Sequence, residues 1–475
     1  MRDMKLDTST DPQVGFRPPG SLDGEPLAPF TGRFSTRSAA HLLRRAGFGG
    51  TAGEVTRTAS LGMEAAVDSL LHASGDDLAF PDYPPSDVLY NVNGGIARSG
   101  TQAWWLDRML RTKRPLVEKM TLFWHGHFAT SIDKVPAALM AEQIDLFRAQ
   151  GMGNFRTLLA SVSVDPAMSV WLDNRYNTKA HPNENYAREV MELFALGLGN
   201  YTEDDVKNAA RAFTGWTYNN KTQQVTFNPK LHDDGVKTFL GRTGAFGLQD
   251  VVAIIVSQPV HQRFIARALL EFFVYSDPEP ELIEGVARTY ALGGYDIAKT
   301  MGTILRSNVF YSTRAYRAIP KSPIEFTIGL LRYAGTAQIP PNLGYALRRM
   351  GQEPLAPPSV KGWDGGPAWI NTNTLLARFN YVNALAAQAP PKADAPNIQP
   401  DAIVAQAGFD APRVVETIVG AALQDDVTRD VRETIVGYLT QSDAVGSVPF
   451  GPENYQQKIR GAVALTLNLP VNQLN

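Results

Sequence analysis

A mainly α, multi-helix globular fold with a small β-hairpin insertion is what the sequence predicts, on three observations. Apolar residues recur at helical spacing through most of the chain from about Ser38 onward. Ser, Thr, Asp or Pro stands ahead of many of these stretches, and glycine closes several. Strand-like patterning is confined to one region after Trp216, WTYNN-KTQ-QVTFN, which reads as a short hairpin.

Composition bounds the function. Of 475 residues, 44% are hydrophobic and 19% charged, which suits a globular protein with a sizeable core. The net charge of −2 offers no basic field for nucleic acid or an acidic membrane surface. With no cysteine there is no disulfide, thiolate nucleophile or Cys-ligated metal centre. No apolar run is long enough to predict a transmembrane helix. The first twenty residues lack the apolar region of a secretory signal. The expected location is therefore cytoplasmic, or periplasmic or secreted if a leader has been removed.

Residues 1–34, rich in Pro, Gly, Asp and Thr, read as an extended tail. Helical patterning then opens near Ser38 and resumes at 51–59, 62–72, 101–111 and from Pro115. Residues 74–97, with Pro-Asp-Tyr-Pro-Pro at 81–85, read as loop. Further helices are predicted at 140–150, 154–162, after Asp165-Pro166, at 181–199 and from Thr202, where Thr202 and Asp205 form a capping-box pattern. Lys237–Gly241 predicts a third strand or a turn. Helices return at 248–257, 261–275, 281–291, 295–308, 324–334, 340–352 and from Thr372 or Asn373. Residues 389–400 read as a connector, and four short helices follow. The domain reading is thus a tail at 1–34, a helical core at 35–388 with the β insertion at about 215–241, and a C-terminal helical segment at 389–475 packed on that core.

The stretch HPNENYAREVMELFALGLG, His181 to Gly199, reads as one amphipathic helix. Ala187, Val190, Met191, Phe194 and Leu198 form its apolar stripe, with Pro182 in the first turn. His181, Glu184, Asn185, Arg188, Glu189 and Glu192 gather in a polar arc of roughly 140°. Glu184–Arg188–Glu192 is also an i,i+4 ladder, and a solvated ladder accounts for the same residues. In FWHGHF, His125 and His127 ligate one metal from an extended segment but diverge by about 160° on a helix. Gly126 permits a break; a continuous helix would bury His127 beside Phe123. His232, Asp233, Asp234 and Lys237 place reactive groups in a loop, or mark a plain Asp-Gly turn. Lys321-Ser-Pro-Ile-Glu325 reads as a Lys and a Glu on stiffened backbone, or as a helix start. Trp363 and Trp369, in a loop with Gly362, Gly365 and Gly366, stack on sugar rings or plug the core.

Taken in order, HLLRRAGFG, WHGHF, NENYAREVMELFALG, YTEDDVKNAARAFTGW, HDDGVKTFLG, KSPIEF and VKGWDGG resemble the bacterial domain-of-unknown-function family numbered eighteen-hundred. The resemblance runs from about Ala39 to the C-terminus and implies one family unit. It also implies export, since many members look exported beside a second exported, uncharacterised family. This sequence departs from that by showing no leader. The family motifs fall here on His125, His127, Asn183, Glu184, Asn185, Arg188, Glu189, Glu192, His232, Asp233 and Lys237.

These readings predict a hydrolase with acid/base carboxylates in a polar cleft and a poly- or oligosaccharide, cut at a glycosidic bond, as first substrate. Glu184, Glu189, His127 and His232 are the expected catalytic residues. Arg188, Asn185, Asp233, Lys237 and Trp363 are expected to bind substrate, with no cofactor. One alternative is a divalent metal on His125 and His127 with a carboxylate from Glu184, Glu189 or Asp233. The other is a non-catalytic export or polymer-binding scaffold. Oligomeric state is not legible.

Overall fold

Proline sits at the first turn of many helices, where its missing N–H leaves nothing unsatisfied. The computed structural model describes residues 25–73, 84, 94–387, 399–441 and 450–475. Among them stand 21 α-helices and two antiparallel two-stranded sheets. Of the predicted loop at 74–97, residues 74–83 and 85–93 lie outside the described residues, as does most of the predicted connector, and 94–97 belong to a helix instead.

The described helices begin with α1 (Thr36–Arg45), capped by Ser35, then α2 (Ala52–Leu61), opened by a Thr51/Glu54 capping box, and α3 (Met63–Leu71). Ahead of them, residues 26–30 lie along the segment 306–309 through backbone hydrogen bonds. The helices α4 (Gly94–Arg111), α5 (Pro115–His127), α6 (Ala137–Gln150), α7 (Phe155–Ser163) and α8 (Pro166–Trp171) follow. α5 is buried on nearly all sides, Glu118 and Lys119 included.

The amphipathic helix predicted at 181–199 is shorter. α9 spans Glu184–Glu192. Asn183 caps it by accepting from Asn185 N, so Pro182 stands outside the helix. At the other end Leu196 N and Gly197 N both donate to Met191 O, and Gly197 takes φ +80°. That closure turns Leu198 out to solvent, 76% exposed, where the helical stripe would have buried it. Tyr186, Ala187, Val190, Met191 and Phe194 are buried as their spacing predicts.

α10 (Glu203–Ala212) begins at the Thr202/Asp205 capping box. β1 (Trp216–Asn219) pairs with β2 (Gln224–Phe227), as the sequence predicts. β3 (Lys237–Phe239) is a strand, but it pairs with β4 (Arg242–Gly244) in a sheet of its own. The insertion therefore holds two hairpins and runs slightly past its predicted end. The helices α11 (Leu248–Val256), α12 (Pro259–Phe273), α13 (Pro280–Leu292), α14 (Ile297–Arg306), α15 (Pro323–Tyr333), α16 (Leu343–Arg349) and α17 (Thr372–Ala387) complete the central part. α18 (Pro400–Ala407), α19 (Ala411–Leu423), α20 (Arg429–Thr440) and α21 (Tyr455–Leu467) follow, with α21 packed on α17. One continuous apolar core reaches from Leu42 to Leu467. Among the described residues no helix is long and apolar enough to cross a membrane.

One ion pair joins distant parts of this core. Lys119 Nζ on α5 donates to Glu325 Oε1 on α15, and to Gly47 O (2.9 Å) after α1. Glu325 Oε2 accepts from Ser322 N (2.7 Å), closing the capping box that starts α15. Both side chains are more than nine-tenths buried. Breaking such a pair from one side leaves a buried charge uncompensated, at about 3–5 kcal/mol. Lys119→Met is therefore expected to lower stability by about that amount. A urea unfolding midpoint unchanged from wild type would show that the pair does not hold the fold.

Candidate functional site

Three of the motif stretches meet at one cleft of about 440 Å3. α5 brings Phe123, Gly126 and His127 to it, and the first turn of α15 brings Ser322 and Glu325. The glycine-rich loop brings Lys361, Trp363 and Asp364. Glu271 and Phe272 of α12 complete the wall, and Trp369 lines it too.

The loop reaches α5 because two glycines meet. Gly362 has φ +82°, and a Cβ there would collide with the Gly126 carbonyl oxygen. Gly126 has open space where its own Cβ would stand. α5 runs through Gly126 without a break, so the two histidines diverge. His125 is fully buried, edge-to-face with Trp105 (5.2 Å between centroids) and Trp363 (5.7 Å). Neither of its ring nitrogens has a hydrogen-bond partner, and burial pushes its pKa down to about 3.

His127 is placed differently. Its ring stacks on Phe123 (5.9 Å) and meets Phe264 edge-on (6.0 Å). Nε2 lies 2.8 Å from Phe194 O, just beyond α9. A carbonyl only accepts, so Nε2 carries the proton and Nδ1 the lone pair. Burial lowers its pKa to about 4, although the Phe194 carbonyl opposes that. Glu271 is held the other way: burial raises its pKa against the pull of Arg267, 3.7 Å away. For Glu325 burial alone would do the same, but the charge and hydrogen bond of Lys119 outweigh it and the pKa is lowered. At the cleft mouth Lys361 Nζ pairs with Asp364 (2.9 Å), which lowers the Asp364 carboxyl pKa.

The expected catalytic and binding residues do not all converge here. The cleft takes His127 and Trp363. Glu184 pairs with Arg188 at 3.4 Å, and Arg188 makes a two-pronged pair with Glu203 (2.7 and 2.8 Å). That row is a partly solvated ladder, extended by a partner from α10. Asn185 is exposed. Glu189 is half-buried, its pKa raised by burial and by Glu192, but it does not line the cleft. His232 Nδ1 donates to Thr214 O (2.9 Å). Asp233 grips Arg211 (2.7 and 3.2 Å), and Lys237 donates to Gly235 O (2.9 Å). The HDDGVK stretch is thus a clamp holding the loop to α10. What α9 gives the cleft is the Leu193 side chain and the carbonyl that fixes His127.

His125 and His127 do not face one point, and among the described residues no group of three His, Asp or Glu could hold a metal ion. Sequence reasoning missed Glu271 and Lys119. The only local signal for Glu271 is its i,i+4 spacing from Arg267, which reads as an ordinary surface pair.

Fold and site together define a mainly α-helical protein with one aromatic-walled, carboxylate-bearing cleft built from its motif residues. Residues 41–474 match the family described as "Protein of unknown function (DUF1800)", and the chain belongs to that family. No curated protein and no solved structure matches the chain.

Two stability tests follow from this geometry. Gly362→Ala, strained at positive φ and driven into the Gly126 carbonyl, is expected to cost more than about 1 kcal/mol. Gly126→Ala, on a helix with open space, is expected to be neutral or to gain up to about 1 kcal/mol. Equal denaturation midpoints for the two variants would refute the close approach.

Acid should also destabilise the protein early. His41, His125, His127 and His261 all have folded pKa values below the ordinary 6.5, the last three at about 3, 4 and 3. Above pH 6.5 both states are neutral and nothing is lost. As pH falls below it, the unfolded chain takes protons that the folded chain refuses, so stability drops. Asp165, its carboxyl raised by burial to about 7, works in the opposite direction, as do Glu142, Glu189 and Glu271, whose carboxyls burial also raises; the four imidazoles are expected to outweigh them. Tm is expected to fall between pH 6.5 and 5, before most carboxylates titrate. A flat Tm over that range would contradict the buried neutral imidazoles.

Proposed function

We propose that the protein is a hydrolase working by acid/base chemistry in this cleft, on glycosidic bonds of a poly- or oligosaccharide. His127 is the base and Glu271 the acid. One observation carries the reading: a neutral imidazole and a carboxyl with raised proton affinity line the same aromatic-walled cleft. Groups whose environments push them to opposite roles are what general acid/base catalysis needs. The Phe194 carbonyl fixes the His127 tautomer and leaves Nδ1 basic.

In this reading a water attacks the anomeric carbon and gives its proton to His127 Nδ1. The glycosidic oxygen leaves with the proton from Glu271. Glu325 stays ionised beside Lys119 and favours positive charge developing on the sugar. Trp363, Trp369 and Phe272 offer apolar faces on which sugar rings stack.

Reducing-end release from a panel of bacterial and plant polysaccharides tests this. Glu271→Gln and His127→Asn are each expected to lose about 10²–10⁴-fold in kcat while keeping the wild-type circular dichroism spectrum. The wild-type rate is expected to rise with pH through about 4, as His127 loses its proton, and to fall once Glu271 ionises above the ordinary carboxylate range. Full activity in Glu271→Gln overturns the assignment. Polysaccharide that quenches tryptophan fluorescence but is never cut favours the polymer-binding scaffold instead.

A further inference from the structure

Glu325 also lines a second, much smaller cavity of about 50 Å3. That is room for a few water-sized particles. Its polar wall is Arg44 from α1, Lys321 and Glu325 at the start of α15, Tyr333 at its end, Gln424 after α19, and Asn472 and Asn475.

The surroundings carry more positive than negative charge. Arg44, Arg45, Lys119, Lys321 and Arg378 are all more than nine-tenths buried. Glu325 is the carboxylate whose field four of them share, and Lys119 occupies it directly. Most other contacts are to neutral acceptors, although Arg44 also lies over the Tyr316 ring and in the field of the Asp426 carboxylate. Arg45 donates to Val274 O and Ala315 O, each at 2.7 Å. Arg378 donates to Lys321 O (2.8 Å) and Gln473 Oε1 (3.3 Å).

The two cations on the cavity wall make one hydrogen bond each, fewer than Arg45, whose Nε and Nη1 are also without a partner. Arg44 Nη1 donates to Gln424 Oε1 (2.6 Å), but its Nε and Nη2 are buried with no hydrogen-bond partner. Lys321 Nζ, with three protons to give, has one hydrogen bond, to Asn472 Oδ1 at 3.2 Å. Among the described residues no carboxylate pairs with either within 4.0 Å. Buried cations are ordinarily paired, and donors left empty at this depth are costly.

We propose that this cavity binds a small monovalent anion of the chloride class, held between Arg44 and Lys321. Burial, Arg317 and Arg44 push the Lys321 pKa well below its ordinary value; an anion between Lys321 and Arg44 would hold both charged, which water would not. A monatomic ion makes the least demand on this space. The site stands whether or not the neighbouring cleft is hydrolytic, since its residues answer to charge and volume alone.

The test uses the full chain. Crystals soaked in sodium bromide are expected to show an anomalous difference peak between Arg44 and Lys321. In solution, sodium chloride is expected to raise Tm saturably above sodium gluconate of equal ionic strength, as a ligand of the folded state must. That increment is expected to vanish in Lys321→Met and in Arg44→Gln. If Arg44→Gln does not fold, Lys321→Met carries the comparison, since it removes the charge and keeps the length. Ordered water without bromide in the cavity, or equal Tm values in the two salts, overturns the proposal. So does a chloride increment that survives in Lys321→Met, because the anion would then bind elsewhere.

Discussion

The ion pair between Lys119 and Glu325 is the constraint on which most of the rest depends. Both groups lose their water, so only close approach and full hydrogen bonding make the arrangement tolerable. At about 4 Å and an effective dielectric of about 20, two unit charges attract by about 4 kcal/mol. Glu325 adds the Ser322 backbone N–H and Asn475 Nδ2 (2.9 Å), and Lys119 adds the Gly47 carbonyl. One pair thereby ties the turn after α1, the middle of α5, the first turn of α15 and the last residue of the chain. The cleft lies against this knot, and its walls come from the segments the knot brings together.

Much of the helical fold was legible because caps are local. Thr202 with Asp205 and Asp165 ahead of Pro166 need no distant partner to open their helices. Lengths were harder. The periodic pattern runs to Leu198, but Gly197 at positive φ ends the helix by a turn that no apolar spacing records. The site was less legible still. Glu118 and Lys119, adjacent and charged, carry nothing in the sequence that marks them as interior, yet both are buried by partners far along the chain. Glu271 hides behind its i,i+4 neighbour Arg267. Conversely, the polar arc of α9 looked catalytic because charge was dense there, and its third partner, Glu203, lies 15 residues from Arg188.

The two histidines of FWHGHF show how one residue of spacing divides fates. On a continuous helix His125 turns toward Trp105 and Trp363, and His127 toward Phe123 and Phe264. The glycine between them does not break the helix. Its carbonyl oxygen faces Gly362, and the missing side chain at Gly362 lets the tryptophan-bearing loop lie against α5. A side chain at 362 would push Trp363 away from His125 and away from the cleft.

The excess of buried cations has a structural origin with an electrostatic consequence. Arg45, Arg317 and Arg378 each reach carbonyls at the ends of elements or in turns, Val274, Ala315, Val471 and Lys321 among them. Such carbonyls have no helical partner, and a planar guanidinium with five donors satisfies several at once. Carbonyl dipoles supply hydrogen bonds but only partial charge, so the region as a whole stays positive. Glu325, set in that field, has its pKa lowered despite its burial, whereas for Glu271, on α12 across the cleft wall, burial outweighs Arg267 3.7 Å away and the pKa is raised. The difference between the two carboxyls is therefore a by-product of how the ends of the surrounding elements are stitched together, and a cleft bordered by both holds one carboxyl of raised and one of lowered proton affinity.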